Sequence, residues 1–542
     1  MKPLLQLLFT AILLSSCVSN EIAVKDHRPN IVLIVADDLG YSDLGCFGSE
    51  IATPNIDALS DQGNIFTSFY TSATCSPTRA MLLTGTDNHI AGLGNMAENI
   101  PRHEKQIGQP GYEGYLNDRV VSVATVLKDS GYRTYAAGKW HLGFEPAQSP
   151  YAHGFDKSFM LLNAYSGHYY PNPKYDYFWE DKQYGQYPEG KYSTEIYTDK
   201  LLNYLEKDKK KTSPFFVYAA YTSPHWPLQA PMEYINKYQG NYDIGYDSLH
   251  QQRIEALKSL GIVPNYVNPP PRPKVRGELY GITEDSMPRW NELDNEEKRI
   301  EARKMEIYAG MVENLDYHIG RLVQHLKDIG EYENTMIVFM SDNGAAVLDV
   351  NDVPAGVNIY DYMGTFNSFT AYGPAWAYAS SAVNYLYKGY VSEGGIKCPM
   401  IIKMPYQIKG KGYHPTFASV KDLAPSFYDL AGVDYPQKYK GKALSPLEGE
   451  SILPYLSGEA PSVHDPDYVM GWELFGRYAV RKGNWKITRI ETPFGNGGFQ
   501  LFNLEEDPGE SKDLSDEYPE KFQELINHWN QYVSEKGVIL SQ

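Results

Sequence analysis

Residues 31–40 read IVLIVADDLG: six apolar residues, then two aspartates, a leucine and a glycine. A continuous run of aliphatic and β-branched residues is typical of a strand buried on both faces of a mostly parallel sheet. In open α/β sheets, ligands bind beyond the carboxyl ends of such strands. The stretch therefore predicts an α/β fold with Asp37 and Asp38 at the functional edge, although the pair alone also fits a helix cap beside a solvated aspartate.

Strands and helices alternate along most of the chain. We predict further strands at 64–69, 132–137, 214–221, 335–340 and 398–404, and helices at 54–63, 119–130, 195–208, 296–329 and 420–430. This alternation indicates a layered α/β domain over residues 28–443, with a large, mostly parallel sheet between helices. Two excursions, 238–294 and 345–387, interrupt it, and we expect these long loops to determine substrate specificity.

The pattern changes from about Leu444. Short strands at 478–481, 485–490 and 499–504 precede a helix at 519–535. They predict a small antiparallel α+β domain over residues 444–542.

The N-terminus, residues 1–17, has the features of a signal peptide. Lys2 precedes an apolar stretch, Leu4 to Leu14, that is too short to span a bilayer. The following Leu14-Ser15-Ser16-Cys17 resembles a bacterial lipobox, and the alternative is an ordinary secretory signal with a chance cysteine. We therefore predict export and a lipid anchor on Cys17 in the bacterial cell envelope, facing the periplasm or in the outer membrane. No later stretch is long and apolar enough for a transmembrane helix.

Charge and cysteine content exclude two classes of protein. The 542 residues carry 49 basic and 67 acidic side chains, a net charge of −18, which argues against a nucleic-acid-binding protein. Any site for an anionic substrate must therefore be made cationic locally. The four cysteines, Cys17, Cys46, Cys75 and Cys398, are too few for a disulfide framework, and whether Cys46 pairs with Cys398 stays open.

A second acidic motif, Ser341-Asp342-Asn343-Gly344, also follows a predicted buried strand. With Asp37 and Asp38 it offers only oxygen ligands and no histidine or cysteine. Such a set suits a hard cation such as Ca²⁺ or Mg²⁺.

Basic residues recur at other predicted strand ends. Lys139 and His141 are two residues apart and share one face of an extended chain. His225 lies between prolines in a rigid turn. Either histidine alone also fits a structural role. The recurrence of such motifs at four strand ends favours a functional site. Lys388 precedes a glycine-rich turn, and charge alone does not separate it from Lys397.

Cys75 begins the segment Cys75-Ser76-Pro77-Thr78-Arg79. Proline suits the first turn of a helix, and Gly85 can end it. Cys75 is thus expected at a helix N-terminus, where an anion is favoured, with Arg79 one turn further on the same face. An activated cysteine and a small buried capping residue both fit this position.

The Cys-x-Pro-x-Arg segment resembles the maturation signature of the type I sulfatases, in which that cysteine is oxidised to formylglycine (3-oxoalanine). Together with the motifs at Asp37, Gly138, Ser223, Asp342 and Lys388, it occurs in the family's order, and the likeness is closest to bacterial arylsulfatases. The resemblance implies an alkaline-phosphatase-like fold and a formylglycine-generating or radical maturation enzyme as partner. It implies one Ca²⁺ held by Asp37, Asp38, Cys75 in its modified form, Asp342 and Asn343. It also implies sulfate contacts from Lys139, His225 and Lys388, with Arg79 supporting residue 75, and so selects Lys388 over Lys397.

The implied reaction is hydrolysis of aryl sulfates or sulfated saccharides. One hydroxyl of hydrated formylglycine would attack sulfur, and His225 would protonate the leaving group. His141 would then take the proton of the second hydroxyl and so release sulfate. Two alternatives stay open: a phosphatase or phosphodiesterase of the same superfamily, which would use two Zn²⁺ ions, and a non-catalytic lipoprotein that binds sulfated glycans.

Overall fold

The structure is a computed structural model that describes residues 26–277, 282–348, 359–406 and 411–540. The predicted signal segment with Cys17 lies outside the described residues, as does the middle of the second excursion. The prediction of a signal segment with a lipid anchor on Cys17 is therefore left without a structural counterpart.

A sheet of eleven strands forms the centre of the protein. From one edge to the other, its strands are Gly412–His414, Asn64–Tyr70, Lys397–Lys403, Thr335–Ser341, Asn30–Ala36, Phe215–Ala220, Arg133–Lys139, Lys157–Leu161, Phe178–Glu180 and Gln183–Gly185, and Ala418–Ser419 also pairs with Asn64–Tyr70. The five strands from Thr335–Ser341 to Lys157–Leu161 are parallel to one another. The sheet is thus mixed and mostly parallel, as predicted.

The strand Asn30–Ala36 is fully buried and supplies both faces of the sheet. Val32 and Ile34 belong to one apolar core, whereas Ile31, Leu33 and Val35 belong to the core on the opposite face. A strand with apolar side chains on both faces must lie between two layers of helices.

Helices cover both faces. One core contains residues from Pro54–Ser60, Ser193–Asp208, Met232–Ile235, Tyr246–Ser259, Asn295–Asp328, Gly373–Ser381 and Glu393–Ile396. The other contains residues from Cys75–Thr84, Asn88–Ala91, Val123–Asp129, Leu423–Ala431 and Leu453–Ser457. In the part of the chain that the structure describes, no helix is both long and apolar enough to cross a bilayer.

Three sequence predictions need correction. The helix expected at 119–130 begins only at Val123, because the Ser122 side chain accepts a hydrogen bond from the Thr125 amide and caps the helix there. The first excursion contains the helix Tyr246–Ser259 and the strand pair Val275–Gly277 and Ile282–Ser286. The second contains the helix Gly373–Ser381. Neither excursion is simply a loop.

The C-terminal unit is a four-stranded antiparallel sheet with one helix. Its strands are Val469–Leu474, Arg477–Lys482, Trp485–Arg489 and Phe499–Asn503, the first of which the sequence prediction missed, and its helix is Pro519–Lys536. Leu525 and Trp529 of the helix pack on one face of the sheet, while Trp472 and Ala479 join the core of the main domain. The small sheet therefore lies directly against the large domain, and the boundary at residue 444 stays a prediction.

Candidate active site

The parallel register brings the predicted site residues to one edge of the sheet. Ala36 aligns with Ser341 and Val35 with Ala220, so the segments that follow these strands emerge side by side. None of the ten predicted residues is more than 4% exposed: Asp37, Asp38, Cys75, Arg79, Lys139, His141, His225, Asp342, Asn343 and Lys388. A buried cluster of so many charged side chains is uncommon outside functional sites.

Cys75 begins the fully buried helix Cys75–Thr84, which Gly85 ends in the left-handed conformation. Its Sγ lies 3.4 Å from Asp37 Oδ1 and 3.3 Å from Lys388 Nζ. Burial, reinforced by the charge of Asp342, raises the pKa of the Cys75 thiol. The encoded residue is therefore a neutral thiol, which is a poor nucleophile.

No disulfide involves the described cysteines. Cys46, Cys75 and Cys398 are all free thiols. The pairing of Cys46 with Cys398 that the sequence left open is therefore absent.

Oxygen atoms beside Cys75 lack hydrogen-bond donors. Asp38 Oδ2 and Asn343 Oδ1 are buried and have no hydrogen-bond partner, although the Asn343 amide nitrogen donates to Asp38 Oδ1 at 2.7 Å. One potential ligand atom from each of four residues lies within 4.8 Å of the others: Asp37, Asp38, Cys75 and His225. Because an unpaired buried carboxylate oxygen is costly, the oxygen atoms of Asp37, Asp38 and Asn343 in this cluster fit a hard divalent cation.

Three cations surround the acidic groups. Lys139 Nζ contacts both oxygens of Asp37 at 2.9 and 2.8 Å, and Lys388 Nζ contacts Asp38 Oδ1 at 2.6 Å. Burial would lower the pKa of both ammonium groups, but the neighbouring carboxylates outweigh it and raise the pKa. Lys397 instead lies 5.3 Å from the centre of the Tyr41 ring. The structure thus places Lys388, not Lys397, in the cluster.

Arg79 fixes the second acidic motif. Its guanidinium donates to Asp342 Oδ2 at 3.0 and 2.7 Å and to the backbone carbonyl of Lys139 at 3.0 Å. Three carboxylates, Asp37, Asp38 and Asp342, thus face three cationic side chains. A divalent cation added to this balanced set leaves the site positive, which suits an anionic substrate in a protein of net charge −18.

The two predicted histidines are held in different ways. His225 Nδ1 lies 2.6 Å from the Trp226 carbonyl, so it carries the hydrogen, and Nε2 lies 3.4 Å from Asp38 Oδ2. His141 Nε2 lies 3.2 Å from Glu98 Oε2, whereas its Nδ1 is buried without a partner. Burial lowers the pKa of both imidazoles.

A cavity of about 470 Å³ opens onto Cys75, His141, His225 and Lys388. Its other walls come from residues that the sequence analysis did not single out: Met96, Glu98, Arg102, Phe144, Asn163, Ala164, Tyr165, Tyr175, Asp176, Trp226, Val347 and Leu348. Tyr165 packs on Trp226, with ring centres 4.1 Å apart. These residues follow no recognisable motif, and only the fold brings their loops together.

The lining shows which parts of the two excursions reach the cavity. Val347 and Leu348 come from the second excursion, but among the described residues that line the cavity none comes from 238–294. Segments 96–102 and 163–176 also line the cavity, and the role of the excursions in specificity stays a prediction. Lys139 contacts Asp37 and is not among the residues that line the cavity.

Comparison with known proteins identifies the family. The sulfatase family model matches residues 29–433, and the model for the C-terminal part of N-sulphoglucosamine sulphohydrolase matches residues 383–537. The first match covers well over half of the chain. The chain therefore belongs to the sulfatase family, which confirms the resemblance seen in its motifs.

Individual relatives agree with this assignment. An uncharacterized sulfatase of Schizosaccharomyces pombe is 42% identical over 538 residues, covering 95% of each chain. The arylsulfatase of Klebsiella aerogenes is 36% identical over 446 residues, covering 79% of this chain and 92% of its own. A crystal structure of a protein in complex with k-i-k-neocarrahexaose is 25% identical, with a TM-score of 0.64 and coverage of 93% of this chain and 92% of its own. The alkaline-phosphatase-like fold is confirmed by this likeness.

Proposed function

We propose that the protein hydrolyses sulfate esters of phenols or saccharides, using a formylglycine made from Cys75 and one Ca²⁺. The observation that carries the proposal is the position of residue 75. It begins a buried helix, opens onto the cavity and lies within 3.4 Å of both an acidic and a cationic side chain. The raised pKa of its thiol argues that the encoded cysteine is a precursor of the nucleophile.

The residues of the site fit both Ca²⁺ and formylglycine. Asp37, Asp38, Asp342, Asn343 and residue 75 would hold Ca²⁺, which supplies positive charge for the sulfuryl oxygens. Hydrated formylglycine supplies one hydroxyl as nucleophile and a second hydroxyl whose deprotonation releases sulfate. A single alcohol or thiol at position 75 offers no second hydroxyl, so it would be left as a stable sulfated enzyme.

Cationic side chains bind and orient the sulfate group. Lys388 lines the cavity next to residue 75, and its pKa keeps it charged at neutral pH, so it pairs with a sulfuryl oxygen. Arg79 holds Asp342 in place, and Lys139 holds Asp37 in place. A direct contact from Lys139 to sulfate stays a prediction.

The two histidines that line the cavity would move protons to and from the reacting groups. His225 presents Nε2 beside Asp38 and, in its doubly protonated imidazolium form, would protonate the leaving oxygen from that atom. His141 presents its unpartnered Nδ1 and would accept the proton of the second hydroxyl. The aromatic pair Tyr165 and Trp226 lies next to His225 and would pack against the leaving group.

The test is to produce the protein together with a formylglycine-forming maturation enzyme. Peptide mass spectrometry should find formylglycine at position 75, and the protein should hydrolyse 4-nitrophenyl sulfate or members of a panel of sulfated saccharides. Cys75→Ala, produced in the same way, should be inactive. An active protein whose residue 75 is entirely unmodified cysteine would contradict the mechanism. Faster hydrolysis of 4-nitrophenyl phosphate would favour the phosphatase alternative.

We also propose that the protein is exported and anchored to the bacterial cell envelope by lipid on Cys17. The support is the lipobox-like sequence at residues 14–17. Cys17→Ala should move the protein from the membrane to the soluble fraction, because lipid is the anchor that this sequence offers. A variant that stays on the membrane after a high-salt wash would refute the anchor.

A further inference from the structure

Glu98 contacts one of the two site histidines, although no sequence motif contains it. Its Oε2 lies 3.2 Å from His141 Nε2, across 43 residues of sequence, and both residues line the cavity. The His141 side chain is 2% exposed, whereas that of Glu98 is 38% exposed. The carboxylate thus reaches the buried ring from the wall of the cavity.

This contact determines which ring nitrogen of His141 carries hydrogen. Burial would raise the pKa of Glu98, but the charge and hydrogen bond of His141 lower it to about 2. At neutral pH the carboxylate can therefore only accept, so Nε2 must donate. In the neutral ring Nδ1 is then left with its lone pair, and the structure gives this buried atom no partner among the described residues.

The His141 backbone supports the same arrangement. Its φ is +54°, a left-handed conformation that is uncommon for residues other than glycine and costs free energy that the surrounding structure must offset. The ring is thus fixed from two sides, by the strained backbone and by Glu98. Such fixing is what a proton acceptor needs, because proton transfer requires the acceptor atom within hydrogen-bond reach.

We propose that Glu98 is a positioning residue that fixes His141 in the Nε2–H tautomer, so that Nδ1 is the base of the second half-reaction. This inference rests on the proposed function. Nδ1 accepts the proton of the free hydroxyl on residue 75. The O–H electron pair forms the carbonyl double bond, the bond between that carbon and the sulfate oxygen breaks, and sulfate leaves with the bonding pair. The resulting imidazolium is stabilised by the Glu98 carboxylate.

The kinetic test uses Glu98→Gln, which keeps the shape of the side chain and removes its charge. An orienting carboxylate of this kind is typically worth about 10- to 100-fold in activity, so we expect a kcat loss of that size on 4-nitrophenyl sulfate. The first half-reaction should stay fast, giving a burst of nitrophenolate equal to the enzyme concentration. Mass spectrometry of the quenched enzyme should then find sulfated residue 75. Glu104→Gln makes the same charge change on an exposed side chain six residues away and should match the wild type.

A second measurement does not depend on activity. In the unmatured Cys75 protein labelled with ¹⁵N-histidine, the His141 signal, assigned by its absence in His141→Gln, should show hydrogen on Nε2. In Glu98→Gln this preference should weaken, with an unchanged Tm showing that the fold is intact. Nδ1–H in the wild type would overturn the inference, as would a Glu98→Gln enzyme with wild-type kcat or with slow turnover but no burst. An inactive, fully matured wild type would instead refute the proposed function. The tautomer measurement would not be affected, because it is made on the unmatured protein and does not depend on activity.

Discussion

His89 and His141 are both buried histidines of the main domain, yet their surroundings differ. His89 Nδ1 lies 2.9 Å from Asp87 Oδ1, and its Nε2 lies 3.4 Å from Glu473 Oε2 of the C-terminal sheet. Burial would lower the pKa of His89, but the two carboxylates outweigh it and raise the pKa to about 9. His141 has a single carboxylate partner, and burial lowers its pKa. One ring is charged and has a partner for both nitrogens, whereas the other is neutral and its buried Nδ1 has no hydrogen-bond partner among the described residues.

A similar contrast holds for two buried aspartates, Asp87 beside His89 and Asp38 beside His225. Asp87 Oδ1 accepts from the His89 amide, and Asp87 Oδ2 accepts from the Tyr532 hydroxyl, each at 2.9 Å. Asp38 Oδ2, by contrast, has no donor. The paired cluster around His89 joins the two domains, whereas Asp38 in the candidate active site keeps one buried oxygen without a hydrogen-bond donor. Unsatisfied buried polar atoms, more than burial or charge, distinguish the chemical site from the structural one.

The largest expected effect concerns the two site histidines. A general acid is worth about 10²–10⁴ in rate, but only where the leaving group needs its proton. His225→Ala should therefore lose much more kcat on an alkyl or sugar sulfate than on 4-nitrophenyl sulfate. His141→Ala should slow both alike, because it acts after the leaving group has departed. Equal losses on both substrates for His225→Ala would mean that another residue is the acid.

Replacing the structural histidine should affect stability and not chemistry. His89→Gln leaves Asp87 and Glu473 buried without their cation, and breaking a buried pair typically costs about 3–5 kcal/mol. Denaturant unfolding should show that loss in the free energy of unfolding, while kcat per folded molecule stays at the wild-type value. His141→Gln is the matched variant and should show the reverse pattern. A comparable fall in kcat for His89→Gln would remove the distinction between the two rings.

The pH dependence of stability tests the charge on His89. Its pKa in the folded state, about 9, lies above the ordinary value of 6.5, so its contribution is complete below about pH 6.5 and is lost as the pH rises through 9. The difference corresponds to about 3 kcal/mol between pH 6 and pH 10. Asp87 and Tyr532 titrate outside this window, because the pKa of Asp87 is lowered and that of Tyr532 is raised well above 10. The wild type should lose this stability relative to His89→Gln, and parallel pH profiles would show that His89 is neutral.

The smallest expected effect is the stabilisation by Ca²⁺, which should depend on Asp38 and not on Asp87. Ca²⁺ at 100 times its dissociation constant should raise the free energy of unfolding of the wild type by about 2.7 kcal/mol, and a chelator should reverse the rise. Asp38→Asn should abolish the response, whereas Asp87→Asn, although less stable, should keep it. Thermal unfolding with and without Ca²⁺ measures this difference. An undiminished response in Asp38→Asn would place the cation elsewhere.

The strands and the residues at their ends could be predicted because each depends on local sequence. The run at 31–36 is apolar at every position, and the acidic motifs at Asp37 and Asp342 directly follow strands. The helix at 119–130 was predicted too long because apolar spacing continues past the point where Ser122 caps it. The strand Val469–Leu474 was missed, since a short sequence such as VMGWEL pairs as a strand only against its neighbour.

The sequence by itself determined the family, the residue types of the site and their places at the ends of strands, because those features lie in contiguous motifs. Tertiary structure decided which of these side chains contact one another. Charge alone left Lys388 and Lys397 equivalent, the family resemblance selected Lys388, and packing places its ammonium 2.6 Å from Asp38, 350 residues away. Packing also gives His141 a partner in Glu98 and leaves its Nδ1 open. Such contacts join segments far apart in the chain, so no local pattern records them.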